Sequence, residues 1–199
     1  YTSQYTLSLH DALPISASNL FQPGDELVLS PWETGKTFIP TERDSIKSYD
    51  ADVLRLDGER GLALLQLQDI PEINMPPHIV GRPDSVPTGS SVAIMGYAFG
   101  YSYIYNQVIQ GAVISARILS GNETKLFLFD SMVHEGSRGG PLINVEDRRI
   151  IGINYGKFKP DEATSDTFKG SAVGDTNISY AVSIEYGRAL MEAEGITVT

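Results

Sequence analysis

The chain has 199 residues, of which 41% are hydrophobic and 20% are charged, and its formal net charge at pH 7 is -10. This length suits one domain or two tightly joined barrels with a substantial core. The acidic balance disfavours nucleic acid and anionic membranes as partners, because an acidic surface repels phosphates. The absence of cysteine excludes disulfides and thiolate metal sites. No apolar run reaches the roughly 18 residues that a membrane-spanning helix needs, so no membrane span is predicted.

The first residues differ in character from the rest of the chain. Residues 1–16, YTSQYTLSLHDALPIS, have neither the basic region nor the apolar core of a signal peptide. The run resembles translated sequencing-adapter read-through. We therefore expect residues 1–16 to be a non-native segment that replaces a truncated N-terminus.

From residue 17 onward the sequence predicts short strands punctuated by Gly, Pro, Asn and Asp, which is typical of a β-sandwich or β-barrel. One helix is predicted at 185–194, with Leu190 and Met191 facing the core and Gly195 ending it. Residues 80–90, which contain two prolines, predict a linker between two groups of strands. The predicted strands are 25–30, 49–56, 62–68, 91–96, 107–117, 125–129, 149–155 and 178–183.

The motif at 135–142, EGSRGGPL, is the most informative in the chain. It resembles the nucleophile loop of the trypsin-like serine peptidases, usually Gly-x-Ser-Gly-Gly-Pro. Alignment on Gly-Gly-Pro puts Arg138 at the nucleophile position, and Ser137 falls one residue early. The motif therefore indicates the peptidase fold without its nucleophile.

Four other stretches resemble the HtrA-type branch of that family and occur in the family's order: GYAFG at 96–100, QGAVIS at 110–115, IGIN at 151–154 and YAVSI at 180–184. The resemblance implies an all-β fold of two antiparallel six-stranded β-barrels, with the active site in the cleft between them and a helix at the C-terminus. We expect residues 17–80 to be the remainder of an N-terminally truncated first barrel. Residues 81–199 are then the second barrel with the C-terminal helix.

The resemblance also locates the three positions of a catalytic triad. The histidine position falls on Asn19, the carboxylate position on Gly61 and the serine position on Arg138. An amide is no general base, glycine has no carboxylate, and a guanidinium keeps its proton in proteins. The sequence therefore predicts a pseudopeptidase, a domain of peptidase fold that does not catalyse hydrolysis.

A peptide-binding cleft does not need a triad, because peptides of this family add to a sheet edge through their backbone. We therefore expect a peptide or protein segment as partner. No cofactor and no metal are predicted, since the three histidines are scattered and lack clustered carboxylates. By resemblance, the oxyanion-hole N–H groups belong to Gly136 and Arg138. The substrate-binding residues are Met132, Ile153, Asn154, Tyr155 and Gly156.

Two alternatives remain open. The chain is an active serine endopeptidase if Ser137 is a displaced nucleophile, for which His134 is the nearest base in sequence. It is a purely structural remnant if it binds nothing. Arg138 itself either reflects drift or forms an anion-binding notch for a carboxylate. The sequence predicts no oligomeric state, and the family suggests a periplasmic or secreted location.

Overall fold

The computed structural model describes residues 15–20, 27–29, 49–68, 78–97, 107–159 and 177–196. These segments form two β-sheets, three short 3-10 turns and one α-helix. The strands are β1 (Ile15–Ala17), β2 (Leu27–Leu29), β3 (Tyr49–Asp57), β4 (Leu62–Leu67), β5 (Ser91–Gly96), β6 (Val108–Leu119), β7 (Lys125–Phe129), β8 (Pro141–Asn144), β9 (Arg149–Lys157) and β10 (Ser179–Ser183). The 3-10 turns are η1 (Ser18–Leu20), η2 (Pro83–Ser85) and η3 (Glu135–Ser137), and the helix is α1 (Ile184–Ala193).

The second half of the chain closes into a six-stranded barrel. Its strand order is β10-β7-β6-β5-β8-β9, and every ladder is antiparallel. Alternate residues of β5 point inward, so that Val92 and Ile94 are buried while their neighbours are more exposed. The barrel encloses one apolar cluster, formed by Val86, Val92, Ile94, Ile114, Phe127, Phe129, Leu142, Ile151 and Ala181. The mostly β fold with one closed six-stranded barrel agrees with the sequence prediction.

The first half forms a sheet that has four strands among the described residues, in the order β1-β4-β3-β2. Strand β4 is its centre, and Leu62 to Leu65 are buried. The described strands of this sheet do not close into a barrel. Of the segment 1–16, expected to be non-native, only Ile15 and Ser16 are described; they belong to β1 and pair with β4.

A second apolar cluster joins this sheet to the barrel and to α1. Its buried members come from β1, β4, β7, β9, β10, α1 and the isolated bridge residue Val80: Ile15, Leu62, Leu64, Val80, Leu126, Ile150, Ile153, Val182, Ile184, Leu190 and Met191. The predicted helix is confirmed, with Leu190 and Met191 buried. Gly195 follows the helix at φ +79, a conformation typical of helix ends. Within the described residues, no helix is long and apolar enough to cross a membrane.

Candidate functional site

The structure brings the three triad-equivalent segments to one place between the sheet and the barrel. The Ser18 N–H donates to the Gly61 carbonyl at 2.7 Å, which ties the 3-10 turn containing Asn19 to the start of β4. Ser16 and Leu20 meet the nucleophile loop at Gly139, where an ideal Cβ would overlap Ser16 Oγ and lie 3.1 Å from Leu20 Cδ1. The segments that carry Asn19, Gly61 and Arg138 are therefore neighbours, as the sequence alignment requires.

A buried asparagine holds the nucleophile loop. Asn154 on β9 has no solvent exposure, and its Nδ2 donates to the Ser137 carbonyl at 2.7 Å. Its backbone accepts from the Gly139 N–H at 2.7 Å and donates to the Gly140 carbonyl at 2.8 Å. Three hydrogen bonds thus fix the loop from inside the barrel. The preceding residue, Ile153, is also fully buried, so the two residues predicted to lie on the substrate-pairing strand both have buried side chains.

The loop packs so tightly that only glycine fits at several of its contacts. An ideal Cβ at Gly140 would overlap the Met95 carbonyl oxygen, and one at Gly96 would lie 2.5 Å from Ser137 Cα. The Tyr97 N–H also donates to the Gly136 carbonyl at 2.9 Å. The Gly-Gly dipeptide of the motif is therefore explained by close packing and by the positive φ of Gly139, independently of any catalytic chemistry.

Ser137, the alternative nucleophile, is buried within this loop. It is 2% exposed and lies against Gly96. Its backbone N–H donates to the His134 carbonyl at 2.9 Å in the η3 turn, whereas the His134 side chain is exposed. Among the described residues, no hydrogen bond joins the His134 imidazole to the Ser137 hydroxyl. The two residues meet through their backbones, which provides no proton transfer.

The carboxylate position is filled by a tyrosine ring. Gly61 has φ +70, and an ideal Cβ there would lie 2.5 Å from the Tyr155 Oη and 2.6 Å from its Cε2. Tyr155 in turn stacks on Tyr180 with ring centroids 5.3 Å apart. Burial raises the pKa of the Tyr155 phenol above its ordinary value, and the nearby Arg138 cation offsets part of the rise. At neutral pH a neutral phenol therefore stands in this place.

Arg138 extends from the nucleophile position across Gly156. An ideal Cβ at Gly156 would lie 3.1 Å from Arg138 Nε and 3.4 Å from Nη2, and Gly156 has φ +138. Some cations of this acidic chain contact carboxylates, as Lys125 does with Glu185 at 3.0 Å. Others, such as Arg82 and Arg149, have no ion pair among the described residues. Arg138 makes no ion pair with any carboxylate of the described residues, although it is partly buried. The site thus presents a positive charge beside the neutral phenol.

Strand β9 has a sheet edge next to this cation. On the β8 side its ladder ends at the pair Ile153–Pro141, whereas on the β10 side it continues to Lys157. In the ladder between β9 and β10, Gly156 pairs with Tyr180 and Asn154 pairs with Ala181, so the register shifts at Tyr155. In the part of the chain that the structure describes, the ladder partner of Gly156 therefore lies on the β10 side, and β8 does not extend to Tyr155 or Gly156. Met132, predicted to form the pocket base, is 55% exposed.

A cavity of about 230 Å³ opens behind Tyr155, between the two sheets. Arg60 and Gly61 bound it on the sheet side, and Thr124 and Tyr180 bound it on the barrel side. The described residues contain no group of three or more His, Cys, Asp or Glu that could hold a metal ion. The sequence did not predict that the Tyr155 ring lies against Gly61, because the two residues are far apart in the chain. The only signal was that Gly61, at the predicted carboxylate position, has no side chain.

Residues 10–153 match the family described as the trypsin-like peptidase domain. The chain belongs to this family. It is 27% identical over 147 residues to the serine protease HTRA1 of Xenopus tropicalis, covering 70% of this chain and 31% of that protein. It is 28% identical over 127 residues to the serine protease HTRA4 of Mus musculus, covering 61% and 25%.

The solved structure of the HtrA-type protease AlgW with decapeptide is similar in fold to this trypsin-like peptidase domain. The TM-score is 0.63 at 21% sequence identity, over 90% of this chain and 47% of that one. The chain thus spans about a third of the length of the curated HTRA1 relative and about half of the solved chain. The predicted relationship to the HtrA-type, trypsin-like peptidases is confirmed.

Proposed function

We propose that this trypsin-like domain does not hydrolyse peptide bonds and instead binds peptide or protein segments along the edge of β9. The observation that carries the proposal is the Tyr155 ring over Gly61, which occupies the space that a catalytic carboxylate would need. We further propose that the four-stranded sheet is the remainder of a first barrel, so that the cleft lies between this sheet and the closed barrel.

The chemistry of the three triad-equivalent positions supports the absence of hydrolysis. Acyl transfer needs a hydroxyl nucleophile, an imidazole that takes its proton and a carboxylate that orients the imidazole. Asn19, Gly61 and Arg138 supply none of these groups. Loss of one triad member already lowers the rate of such enzymes by several orders of magnitude, and the effects of such members do not add independently. The proposal therefore rests on all three positions together.

The free side of β9 supports the binding function. A strand edge with unpaired N–H and C=O groups is a template on which an extended peptide can form main-chain hydrogen bonds. Among the described residues, such an edge lies at Tyr155 and Gly156, beyond the last β8 pair. The similar solved structure is that of AlgW with decapeptide, which is consistent with a peptide ligand for this fold. Binding through this edge would use the backbone of the loop-bearing barrel and no triad residue.

Incubation of the 199-residue chain with a mixture of synthetic decapeptides tests the proposal. We expect mass spectrometry to find a subset of peptides held by the immobilised chain and every peptide intact after prolonged incubation. A version of a held peptide with N-methyl groups at alternate residues is the matched control, because it cannot donate the main-chain hydrogen bonds. It should lose its binding. Cleavage products that disappear in a Ser137→Ala variant would contradict the proposal, and the absence of any bound peptide would favour a structural remnant.

A further inference from the structure

We infer that the cleft is selective for the end of a chain, and that Arg138 binds the free C-terminal carboxylate of the peptide. This inference rests on the proposed function, since it specifies which part of a peptide the β9 edge receives. It is carried by three features of the described residues: the direction of β9, the point at which its edge closes, and a cation without an acidic partner at that point.

The direction of β9 determines which end of a ligand meets Arg138. The loop lies beside the beginning of the open edge, because the Gly139 N–H donates to the Asn154 carbonyl just before Tyr155 and Gly156. Every ladder of the barrel is antiparallel. A peptide added in the same sense would run from the Lys157 end toward the Tyr155 end. Its C-terminus, and not its N-terminus, would therefore arrive next to Arg138.

The edge closes where the nucleophile loop begins to pair. Pro141 already occupies the β8 side of Ile153, and the Asn154 N–H donates to the Gly140 carbonyl. A ligand strand cannot continue along β9 past this point. It must either turn sharply out of the cleft or end there. A peptide ligand whose C-terminus lies at this point fits the geometry without a turn.

Arg138 supplies the positive charge that would pair with a free C-terminal carboxylate. Its guanidinium lies on Gly156, at the open edge, and contacts no carboxylate of the described residues. The neighbouring Tyr155 phenol stays neutral, because burial raises its pKa, and therefore does not compensate the cation. A planar guanidinium can donate two parallel hydrogen bonds to a carboxylate, and such charge-assisted bonds are the strong ones. An amidated or internal peptide segment has no negative charge at this point.

The test compares the same peptides with two different ends. Two N-acetylated decapeptide mixtures of identical composition are prepared, one with free C-terminal carboxylates and one with C-terminal amides, and each is passed over the immobilised chain. A peptide that is held is then resynthesised in both forms and titrated. We expect the free acid to bind about tenfold or more tightly than the amide. We expect the ratio to approach one in Arg138→Gln and to persist in the control Arg82→Gln, which removes an exposed arginine elsewhere.

The outcomes separate the inference from the proposed function. Equal binding of acid and amide by the unaltered chain would overturn the inference and leave peptide binding intact. Binding of neither form would overturn the proposed function and the inference with it. A preference for the acid that persists in Arg138→Gln would also overturn the inference, because another group would then hold the carboxylate. Circular dichroism of each variant confirms that a lost preference is not lost folding.

Discussion

The nucleophile loop and the sheet segment at Gly61 lie side by side, yet they differ in what they contain. The loop is a tightly fixed backbone, held by Asn154 and packed through Gly140 against Met95. Gly61, at the predicted carboxylate position, has no side chain, and the ring of Tyr155 occupies the space where one would lie. The comparison teaches that a loop can be fixed by many backbone and side-chain contacts while the neighbouring segment offers only a glycine and an aromatic ring.

The largest expected effect on stability comes from a substitution in the nucleophile loop. In Gly140→Ala the new Cβ would overlap the Met95 carbonyl oxygen, a backbone atom that cannot move without disturbing β5. We expect the free energy of unfolding to fall by about 3 kcal/mol in chemical denaturation. The matched control is Gly111→Ala, where nothing lies within 4 Å of the new Cβ, and the change should stay within about 0.5 kcal/mol. Equal effects of the two substitutions would contradict the packing argument.

A second prediction tests the asparagine that holds the loop. Asn154→Asp replaces the buried Nδ2 donor with a carboxylate oxygen facing the Ser137 carbonyl. We expect a loss of about 2.5 kcal/mol in the free energy of unfolding at neutral pH, from an unmade hydrogen bond and a buried charge. In the control Asn144→Asp the side-chain oxygen that accepts from Glu146 N–H is preserved, so the loss should be smaller. A loss at position 144 as large as that at 154 would show that Asn154 has no special role.

A third prediction tests the ring that fills the carboxylate place. Gly61→Ala must adopt φ +70 and also displace Tyr155, so we expect a loss of about 2 kcal/mol in the free energy of unfolding. In a Tyr155→Ala background the same change should cost about 1 kcal/mol, because only the backbone strain remains. Gly89→Ala, at φ +92 with nothing within 4 Å, measures that strain alone. Identical costs in both backgrounds would rule out the contact between ring and glycine.

The smallest expected effect concerns pH. Because the folded-state pKa of Tyr155 is raised by burial, its contribution to stability is present below about pH 10 and is lost as the pH rises through the folded-state pKa. Denaturation between pH 8 and 11 should therefore show a steeper fall in the free energy of unfolding for the unaltered chain than for Tyr155→Phe. The phenylalanine variant corrects for Lys125, whose raised pKa acts in the same direction. Parallel curves would contradict the buried phenol.

Much of the fold follows from local patterns in the sequence. Strands β5 and β7 match their predicted bounds, because each is a short apolar run between turn residues. Strand β8 was not predicted, since it begins at Pro141 inside the loop motif, and proline is a weak strand signal. The three-residue strand β1 was also missed, because it gains its place only by pairing with β4.

The sequence predicted which positions belong to the candidate site, but it did not predict which side chains contact one another there. The resemblance to the peptidase family predicted that Asn19, Gly61 and Arg138 belong together, and the structure places their segments side by side. No sequence pattern showed that the buried Asn154 side chain donates to the Ser137 carbonyl, because the two residues are distant in the chain. Contacts of this kind depend on the packing of β9 against the loop, which periodicity does not contain.

Labelling with a fluorophosphonate probe tests the central claim most directly, because the probe forms a covalent bond only with an activated serine. The 199-residue chain and its Ser137→Ala variant are treated in parallel and analysed by intact-mass spectrometry. The account predicts no adduct on either protein, since Ser137 is buried without an imidazole partner among the described residues. An adduct on the unaltered chain that disappears in Ser137→Ala would contradict the account and identify a displaced nucleophile.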